Sequence, residues 1–293
     1  MIECVPNFSE GRDRLKLNAI VEAMASAPGV FVLGSESDQD HNRSVVTIAG
    51  DPQAVMESAI RGAGKAAELI DLREHEGVHP RVGATDVIPF IPLPGGPETL
   101  EQCAAIAHEA GEEIWKRYRI PVYFYEAAAR APERTRLENV RRNEFDGNPP
   151  DIGDVAQHET AGASVIGARK ILIAYNINLN TPQVVHARAI AREIRESSGG
   201  FPHVKALGLY LTTTGQAQVS MNLTDFEHTR LDFLYEAVVE EASRHNCAIE
   251  SCELIGLIPQ KAFDMYPAFF QHAANFDESR IIEVRINQLL QSK

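Results

Sequence analysis

Apolar residues recur along this chain with two periods, one typical of helices and one typical of strands. Within residues 52–70, Val55, Ala59 and Ala63 recur every four positions, which places them on one face of a helix. Asp51 precedes this segment as a typical N-cap, and a proline at the first helical position favours the same start. The pattern predicts a helix over residues 52–70 with its apolar face toward a core.

Short apolar runs that end at glycine, proline or asparagine predict strands between such helices. Residues 126–165 have no strong period, and we expect one or two short helices and a long excursion that serves as a lid or an interface. Strands are predicted near residues 2–5, 29–34, 43–49, 84–91, 120–125, 169–178, 204–213, 216–223 and 247–255, and helices near residues 12–27, 52–70, 97–117, 181–198, 228–245 and 277–291.

The order of these elements predicts an α/β (α+β) protein with two subdomains, residues 1–168 and 169–293. Each half contains the order β-α-β-β-α-β, which is the split-βαβ or ferredoxin-like arrangement. We therefore expect a mixed or antiparallel sheet in each subdomain, with helices layered on one face. Because ligands favour clefts between domains, the sequence also predicts a substrate cleft between the two halves.

The composition of the chain limits the kinds of molecule that it can bind. The chain has 293 residues, 44% of them hydrophobic, and a formal net charge of −13. This charge argues against a general nucleic-acid or anionic-membrane binder, so an anionic substrate needs cations gathered locally. We expect a cytoplasmic protein, because the N-terminus has no signal-peptide pattern and no run of about 18 apolar residues occurs. The four cysteines show no CxxC spacing, which favours reduced, packed thiols.

The segment 77–89 combines a histidine with residues that stiffen its backbone. Pro80 disfavours the α region for His79, so the imidazole lies on a rigid non-helical turn. Gly77 and Gly83 permit backbone angles or close approaches that a side chain would forbid. His79 is therefore a candidate general base and acid, although a histidine hydrogen-bonded within a turn has the same signature.

A run of polar residues precedes the strand predicted near residues 43–49. Glu36, Asp38 and Asp40 form either a solvated hairpin turn or a carboxylate patch that orients His79 or holds a cationic group. His75 and His79, together with Asp38, Asp40 and His41, also resemble a set of metal ligands. Two histidines four residues apart bind a metal together when both lie within one helix, and Pro80 argues against that geometry. We expect no metal.

Further along the chain, cations and amides gather at residues 169–179 and 220–223. Arg169 and Lys170 are expected to open a strand and to bind a carboxylate, and amides farther along can hydrogen-bond a heterocycle. The alternative is a strand with solvated ends. The candidate amides are Asn176, Asn178 and Asn222.

Five segments together resemble the glutamate formimidoyltransferase family, in order along nearly the whole chain. They are Glu3-Cys4-Val5-Pro6-Asn7-Phe8-Ser9-Glu10-Gly11, Asn42-Arg43, His79-Pro80-Arg81 through Pro92, Gly167-Ala168-Arg169-Lys170 with Asn176-Ile177-Asn178-Leu179, and Val219-Ser220-Met221-Asn222-Leu223. The resemblance implies a two-subdomain transferase of histidine breakdown, usually a homodimer. Members of this family move a formimino group from N-formimino-L-glutamate to N5 of tetrahydrofolate, the co-substrate. Animal members carry a cyclodeaminase domain after this part, and we expect none of that activity here.

The resemblance also assigns residues. The family's catalytic histidine matches His79, and its acidic residue falls at Glu36, where an aspartate is expected, so Asp38 or Asp40 can take its place. Both of the implied substrates carry carboxylates, for which the candidate cations are Arg43, Arg81, Arg169 and Lys170. The pterin ring needs paired donors and acceptors, for which the candidate amides are Asn7, Asn176, Asn178 and Asn222.

Two alternatives share this pattern. A folate-dependent formyl- or formiminotransferase that uses another donor, such as formylglutamate or formiminoglycine, has the same motifs, because they place the base and the folate rather than the donor's tail. A folate-binding protein without catalysis also retains them.

Overall fold

A computed structural model describes residues 1–143, 148–154 and 158–291. The chain divides into two compact units, residues 1–170 and 171–293. In the first unit, the described elements are β1 (Ile2–Cys4), β2 (Asn7–Phe8), α1 (Arg14–Ala25), β3 (Val30–Asp38), β4 (Arg43–Gly50), α2 (Pro52–Leu69), β5 (Thr85–Pro92), α3 (Leu100–Tyr118), β6 (Val122–Glu126), α4 (Leu137–Asn143) and β7 (Ser164–Ala168).

The strands of the first unit form one mixed sheet. In space, β3 pairs with β4, β1 and β2 lie between β4 and β5, and β7 and β6 follow β5. The pairs β5–β7 and β6–β7 are parallel, and the other pairs are antiparallel. The order β3-β4-β1-β5 confirms the predicted split-βαβ arrangement, and β7 and β6 extend it through a parallel crossover.

Helices α1, α2 and α3 cover one face of this sheet and form the main core with it. In β6, Val122 and Phe124 point into that core, whereas Tyr123 and Tyr125 point to the other face. The second face carries a smaller cluster that includes Val140 of α4. As predicted, Asp51 caps α2, where its carboxylate accepts from the Gln53 N–H at 3.1 Å.

The second unit has a four-stranded antiparallel sheet with the strand order β11-β8-β10-β9, which again confirms the predicted order. Apolar and polar residues alternate along β8, so Tyr175 and Ile177 lie on one face and Asn176 and Asn178 on the other. Its elements are β8 (Ile173–Leu179), α5 (Val184–Ile194), β9 (Val204–Leu211), β10 (Gln216–Leu223), α6 (Leu231–Arg244), β11 (Ile249–Ile255), α7 (Gln260–Met265), α8 (Pro267–Gln271) and α9 (Ile282–Gln291).

The expectation of one strand over residues 169–178 is wrong. Strand β7 ends at Ala168 and belongs to the first sheet, whereas β8 begins at Ile173 and belongs to the second. Arg169 and Lys170 therefore lie in the connection and do not open a strand. Two apolar runs flank this pair of cations, and periodicity alone reads them as one strand because it does not report which sheet a run joins.

The stretch 126–165 contains a 3₁₀ turn at Pro132–Thr135, then α4, and it ends in the first two residues of β7. Residues 144–147 and 155–157 of this stretch lie outside the described residues, and its service as a lid or an interface stays a prediction. Among the described helices, none is both long and apolar enough to cross a membrane.

Candidate active site

Two loops of the first unit are joined by backbone and side-chain hydrogen bonds. One loop connects β3 to β4, and the other carries the histidine motif. The Val78 N–H donates to the Asp40 carbonyl at 3.3 Å, and Asn42 Nδ2 donates to the Glu76 carbonyl at 2.8 Å. In return, His75 Nε2 lies 2.9 Å from the Asn42 carbonyl. The loop that carries the histidine motif (the motif loop, residues 70–84) is therefore held directly against the β3–β4 loop (residues 39–42).

The two glycines of the motif lie where the backbone packs too closely for a side chain. A Cβ added at Gly77 would lie 2.5 Å from the His41 carbonyl oxygen, and one at Gly83 would lie 1.8 Å from the Ala163 carbonyl oxygen. Real Cβ atoms do not approach backbone that closely. The expectation that these glycines permit close approach is confirmed.

His79 is half-buried, and its ring is oriented by the backbone. Nδ1 lies 2.8 Å from the Pro80 carbonyl oxygen. A carbonyl only accepts, so the neutral ring carries its proton on Nδ1 and keeps a lone pair on Nε2. A carbonyl thus occupies the position where the sequence suggested a carboxylate. The ring of His41 lies nearby, with 5.9 Å between ring centroids.

Electrostatics keep this imidazole neutral. Burial lowers the pKa of His79 well below its ordinary value, and the positive charges of Arg43 and Arg141 lower it further. The charge of Asp86 and the hydrogen bond to Pro80 oppose this shift without reversing it. Near neutral pH, the ring is therefore in the form that accepts a proton.

Asp86 enters the site through a β-bulge in β5. Asn7 pairs with Val87 and Phe8 pairs with Thr85, so Asp86 is the extra residue between the two pairs. Bulges of this kind redirect a side chain. The Asp86 carboxylate is fully buried, and its Oδ1 accepts from the Val82 N–H at 2.7 Å.

Two arginines converge on the other oxygen of Asp86. Arg43 Nη1 donates to Oδ2 at 2.6 Å, and Arg141 Nη2 donates to the same atom. Arg43 is also held by Asn7, whose Oδ1 accepts from its Nε at 3.0 Å. Burial by itself raises the pKa of Asp86, but Arg141 and Arg43 outweigh that effect and hold it well below its usual range.

Sequence reasoning missed Arg141 and left Asp86 without a role. Arg141 lies on α4, in the stretch that lacked a strong period, and no local spacing links it to the histidine motif. Asp86 was visible within the motif, but only the bulge shows that its carboxylate joins the two arginines.

The three candidate acids occupy different positions around the β3–β4 loop. Asp38 accepts from the His41 N–H at 2.7 Å and so stabilises the turn. Asp40 is buried, and Glu36 is half-buried on β3 opposite Val45. No group of three or more His, Cys, Asp or Glu side chains suited to a metal occurs within the described ranges.

The remaining candidate cations of the first unit, Arg81, Arg169 and Lys170, differ in their surroundings. Arg81 Nη2 donates to the His75 carbonyl at 2.7 Å and braces the motif loop. Arg169 is half-buried and interacts with the Tyr125 hydroxyl, whereas Lys170 is exposed. Burial raises the pKa of Tyr125 to about 12 against the opposing effect of Arg169, and Arg141 acts on the same phenol. Arg169 and Arg141 therefore both act on Tyr125.

In the second unit, the candidate amides Asn176, Asn178 and Asn222 lie on the polar face of the sheet. Asn178 is buried and belongs to a chain of hydrogen bonds that sequence reasoning missed. Gln218 Nε2 donates to Asn178 Oδ1 at 2.9 Å, and Asn178 Nδ2 donates to Glu253 Oε1 at 3.1 Å. This face is built for hydrogen bonding rather than for apolar packing.

Comparison with known proteins identifies the family to which this chain belongs. Residues 1–169 match the model of the formiminotransferase domain, N-terminal subdomain, and residues 174–292 match the model of the formiminotransferase domain. The chain belongs to the formiminotransferase family. The resemblance on which the sequence analysis relied is thereby confirmed.

Named relatives of this formiminotransferase cover nearly all of it. The glutamate formimidoyltransferase of Streptococcus pyogenes is 40% identical over 94% of this chain and 95% of its own length. That of Thermoplasma acidophilum is 40% identical over 98% of both chains. The formimidoyltransferase-cyclodeaminase of Rattus norvegicus is 37% identical over 99% of this chain, which corresponds to 56% of the rat protein.

Proposed function

We propose that this formiminotransferase moves the formimino group of N-formimino-L-glutamate to N5 of tetrahydrofolate, giving 5-formiminotetrahydrofolate and L-glutamate. Its family and the near-full-length relatives named for glutamate formimidoyl transfer make it a transferase that acts on folate. The observation that carries the assignment within the site is the neutral His79 imidazole, which carries its proton on Nδ1, keeps a lone pair on Nε2, and has its pKa lowered by the charges of Arg43 and Arg141.

In this reaction His79 moves one proton twice. N5 of the folate attacks the formimino carbon and forms a tetrahedral adduct. His79 Nε2 takes the proton from N5 and returns it to the departing glutamate nitrogen, after which the carbon–nitrogen bond to glutamate breaks. General acid–base catalysis of this kind contributes about 10²–10⁴-fold.

Substrate binding adjusts the base for this task. In the free protein, burial and the charges of Arg43 and Arg141 lower the pKa of His79. A substrate carboxylate placed against these arginines offsets their charge, so the pKa of His79 rises toward the working pH when the donor binds. The site thus gives a neutral base before binding and a stronger one afterward.

The formimino group is an amidine and is largely cationic at neutral pH, so it needs a carboxylate. We assign this role to an acidic residue of β3 or of the loop that follows it, with Glu36, Asp38 and Asp40 as candidates. Asp40 has the strongest support, because it is buried and its backbone contacts the residue before His79. Asp38 already serves the turn.

The cations and amides take the anionic and heterocyclic parts of the substrates. Arg43, Arg169 and Lys170 receive carboxylates, and Arg81 supports the motif loop. Asn176 and Asn222 provide donors and acceptors for the pterin, whereas the buried amide of the third candidate, Asn178, is already bonded to Gln218 and Glu253. Asn7 bonds Arg43 and the Val5 carbonyl, which supports a part in holding Arg43.

The biological setting is part of the same proposal and is suggested by the family resemblance. We assign the protein to histidine breakdown, as a cytoplasmic homodimer without a nucleic-acid or membrane partner. Its four cysteines are free and buried, which is compatible with a reducing compartment. That the substrates lie in a cleft between the subdomains stays a prediction of the sequence.

The test is direct product detection. Purified protein is mixed with formiminoglutamate and tetrahydrofolate, and 5-formiminotetrahydrofolate and glutamate are measured together. We expect equal amounts of both products, and much slower reactions with formylglutamate and formiminoglycine. Faster turnover of either alternative donor overturns the donor assignment. Tetrahydrofolate binding without turnover of any donor identifies a folate-binding protein instead.

A further inference from the structure

We infer that Arg43 and Arg141, held side by side by Asp86, receive the α-carboxylate of the donor substrate, and that Asp86 is the positioning residue of this pair. The chemical class of the ligand is an N-substituted α-amino acid. The inference rests on the proposed function only for the identity of that amino acid.

The first support is the convergence of two cations on one atom. Arg43 Nη1 and Arg141 Nη2 both donate to Asp86 Oδ2, while Oδ1 accepts from the Val82 N–H. The two guanidinium groups therefore lie close together, and one carboxylate balances only one of them. A second anion is needed for the buried pair to be balanced in charge, because like charges repel strongly where water is excluded.

The second support is the set of unused donors. Arg43 Nη2 and Arg141 Nη1 donate to no residue that the structure describes, and Arg141 Nε is buried without a partner. Guanidinium groups bind carboxylates through paired N–H donors, and a buried donor without a partner carries a free-energy cost. A ligand carboxylate can accept from these remaining N–H groups of the pair.

The third support is the position of the pair relative to the base. Asp86, which holds both arginines through Oδ2, accepts through Oδ1 from the N–H of Val82 on the loop that carries His79. The charges of Arg43 and Arg141 also lower the pKa of His79. In a formimino amino acid, the α-carboxylate is attached to the carbon that bears the departing nitrogen. His79 protonates that nitrogen in the proposed reaction, so a receiver beside His79 suits the α-carboxylate better than the more distant side-chain carboxylate or the glutamyl tail of folate.

Arg142 is a natural control for Arg141. It follows Arg141 on α4, carries the same side chain and is exposed. The variants Arg141→Met and Arg142→Met remove the same charge from the same helix. They differ in that only Arg141 contacts Asp86.

Steady-state kinetics with the full chain test the inference. For Arg141→Met we expect the KM for formiminoglutamate to rise about tenfold or more, because charge-assisted hydrogen bonds contribute about 1.5–3 kcal/mol, and the KM for tetrahydrofolate to change less than about twofold. N-formimino-4-aminobutyrate lacks the α-carboxylate, so its KM should already be high in wild type and should rise little further in Arg141→Met. An equal KM in Arg141→Met and Arg142→Met overturns the receiver, and a rise confined to the tetrahydrofolate KM overturns the assignment to the donor.

Calorimetric titration with L-glutamate, set against 4-aminobutyrate, gives a readout without turnover. We expect wild type and Arg142→Met to bind glutamate more tightly than 4-aminobutyrate, and this preference to disappear in Arg141→Met. If wild type shows the preference but catalyses no formimino transfer, the proposed function fails while the receiver stands. If wild type shows no preference, the receiver fails.

The role of Asp86 is tested through the same KM measurements. Asp86→Asn keeps the shape of the side chain but removes the charge that holds the arginines together. We expect a higher KM for formiminoglutamate, with partial recovery in Asp86→Glu. Folded variants with an unchanged KM for formiminoglutamate overturn the positioning role. Should Asp86→Asn fail to fold, the comparison of Arg141→Met with Arg142→Met decides.

Discussion

Asp86 and Arg43 form a buried ion pair, in which Arg43 Nη1 donates to Asp86 Oδ2 at 2.6 Å and the aspartate side chain has no solvent exposure. The bulge in β5 is what allows a carboxylate to reach this position from a strand that otherwise faces a core. The pair thus connects the fold of the first sheet to the electrostatics of His79, because both charges act on that imidazole.

Removal of one partner from this pair should destabilise the protein strongly. We expect Asp86→Asn to lower the free energy of unfolding by about 3–5 kcal/mol, since it leaves buried guanidinium charge without compensation. Urea denaturation measures the change. The control is Asp232→Asn at the exposed Arg230–Asp232 pair, where both side chains are largely solvated and we expect a change of about 0–1 kcal/mol. Equal losses in the two variants contradict the importance of burial.

The pH dependence of activity reports the same charges. The pKa of His79 lies below its ordinary value, so the acid limb of kcat/KM should fall below about pH 6.5. Arg141→Met removes a positive charge that disfavours the imidazolium ion, which raises the pKa of His79 and moves the acid limb to higher pH. Arg43 still lowers this pKa in the variant, and Asp86 still opposes the shift. An acid limb that stays in place, or moves to lower pH, contradicts the electrostatic account.

The motif glycines should tolerate no side chain. At Gly83, a Cβ would lie 1.8 Å from a backbone carbonyl oxygen, so Gly83→Ala should lower stability by about 1–3 kcal/mol and reduce turnover through a displaced motif loop. At Gly34, an added Cβ has no atom within 4 Å, and we expect Gly34→Ala to change stability by at most about 1 kcal/mol in the favourable direction. Urea midpoints and kcat distinguish the two. A harmless Gly83→Ala contradicts the close approach.

How much of this could be predicted differs between the fold and the site. The helix over residues 52–70 and its Asp51 cap followed from periodicity and capping alone, because both are local properties. The boundary between β7 and β8 did not, because Ala168 and Ile173 belong to runs of similar composition and only their pairing separates them. Sheet membership depends on partners distant in sequence.

The site divides in the same way. His79 was evident because Pro80 and two glycines mark it within a few residues. Arg141 was not, since it reaches Asp86 from a helix 55 positions away in sequence. The polar chain from Gln218 to Glu253 was missed for the same reason, because it runs across three strands. Local motifs indicate a base, but tertiary contacts build the groups around it.

Arg169 should affect binding more than chemistry. It is half-buried, its side chain interacts with Tyr125, and it lies outside the motif loop. We expect Arg169→Ala to raise the KM of at least one substrate about tenfold, through the loss of a charge-assisted hydrogen bond, with a smaller change in kcat. The exposed Arg188 of α5 provides the control. If Arg169→Ala leaves both KM values at those of Arg188→Ala, its role as a carboxylate receiver is wrong.

The most direct test of the account compares formimino transfer by His79→Ala and by Val78→Ala. Val78 precedes the histidine on the same loop, and the residue is 43% exposed, so the pair separates loss of the imidazole from disturbance of the loop. With folding checked by circular dichroism, we predict that His79→Ala lowers kcat by roughly 10²-fold or more, while Val78→Ala stays within about twofold of wild type. A folded His79→Ala protein that transfers the formimino group at the rate of wild type would contradict the central claim.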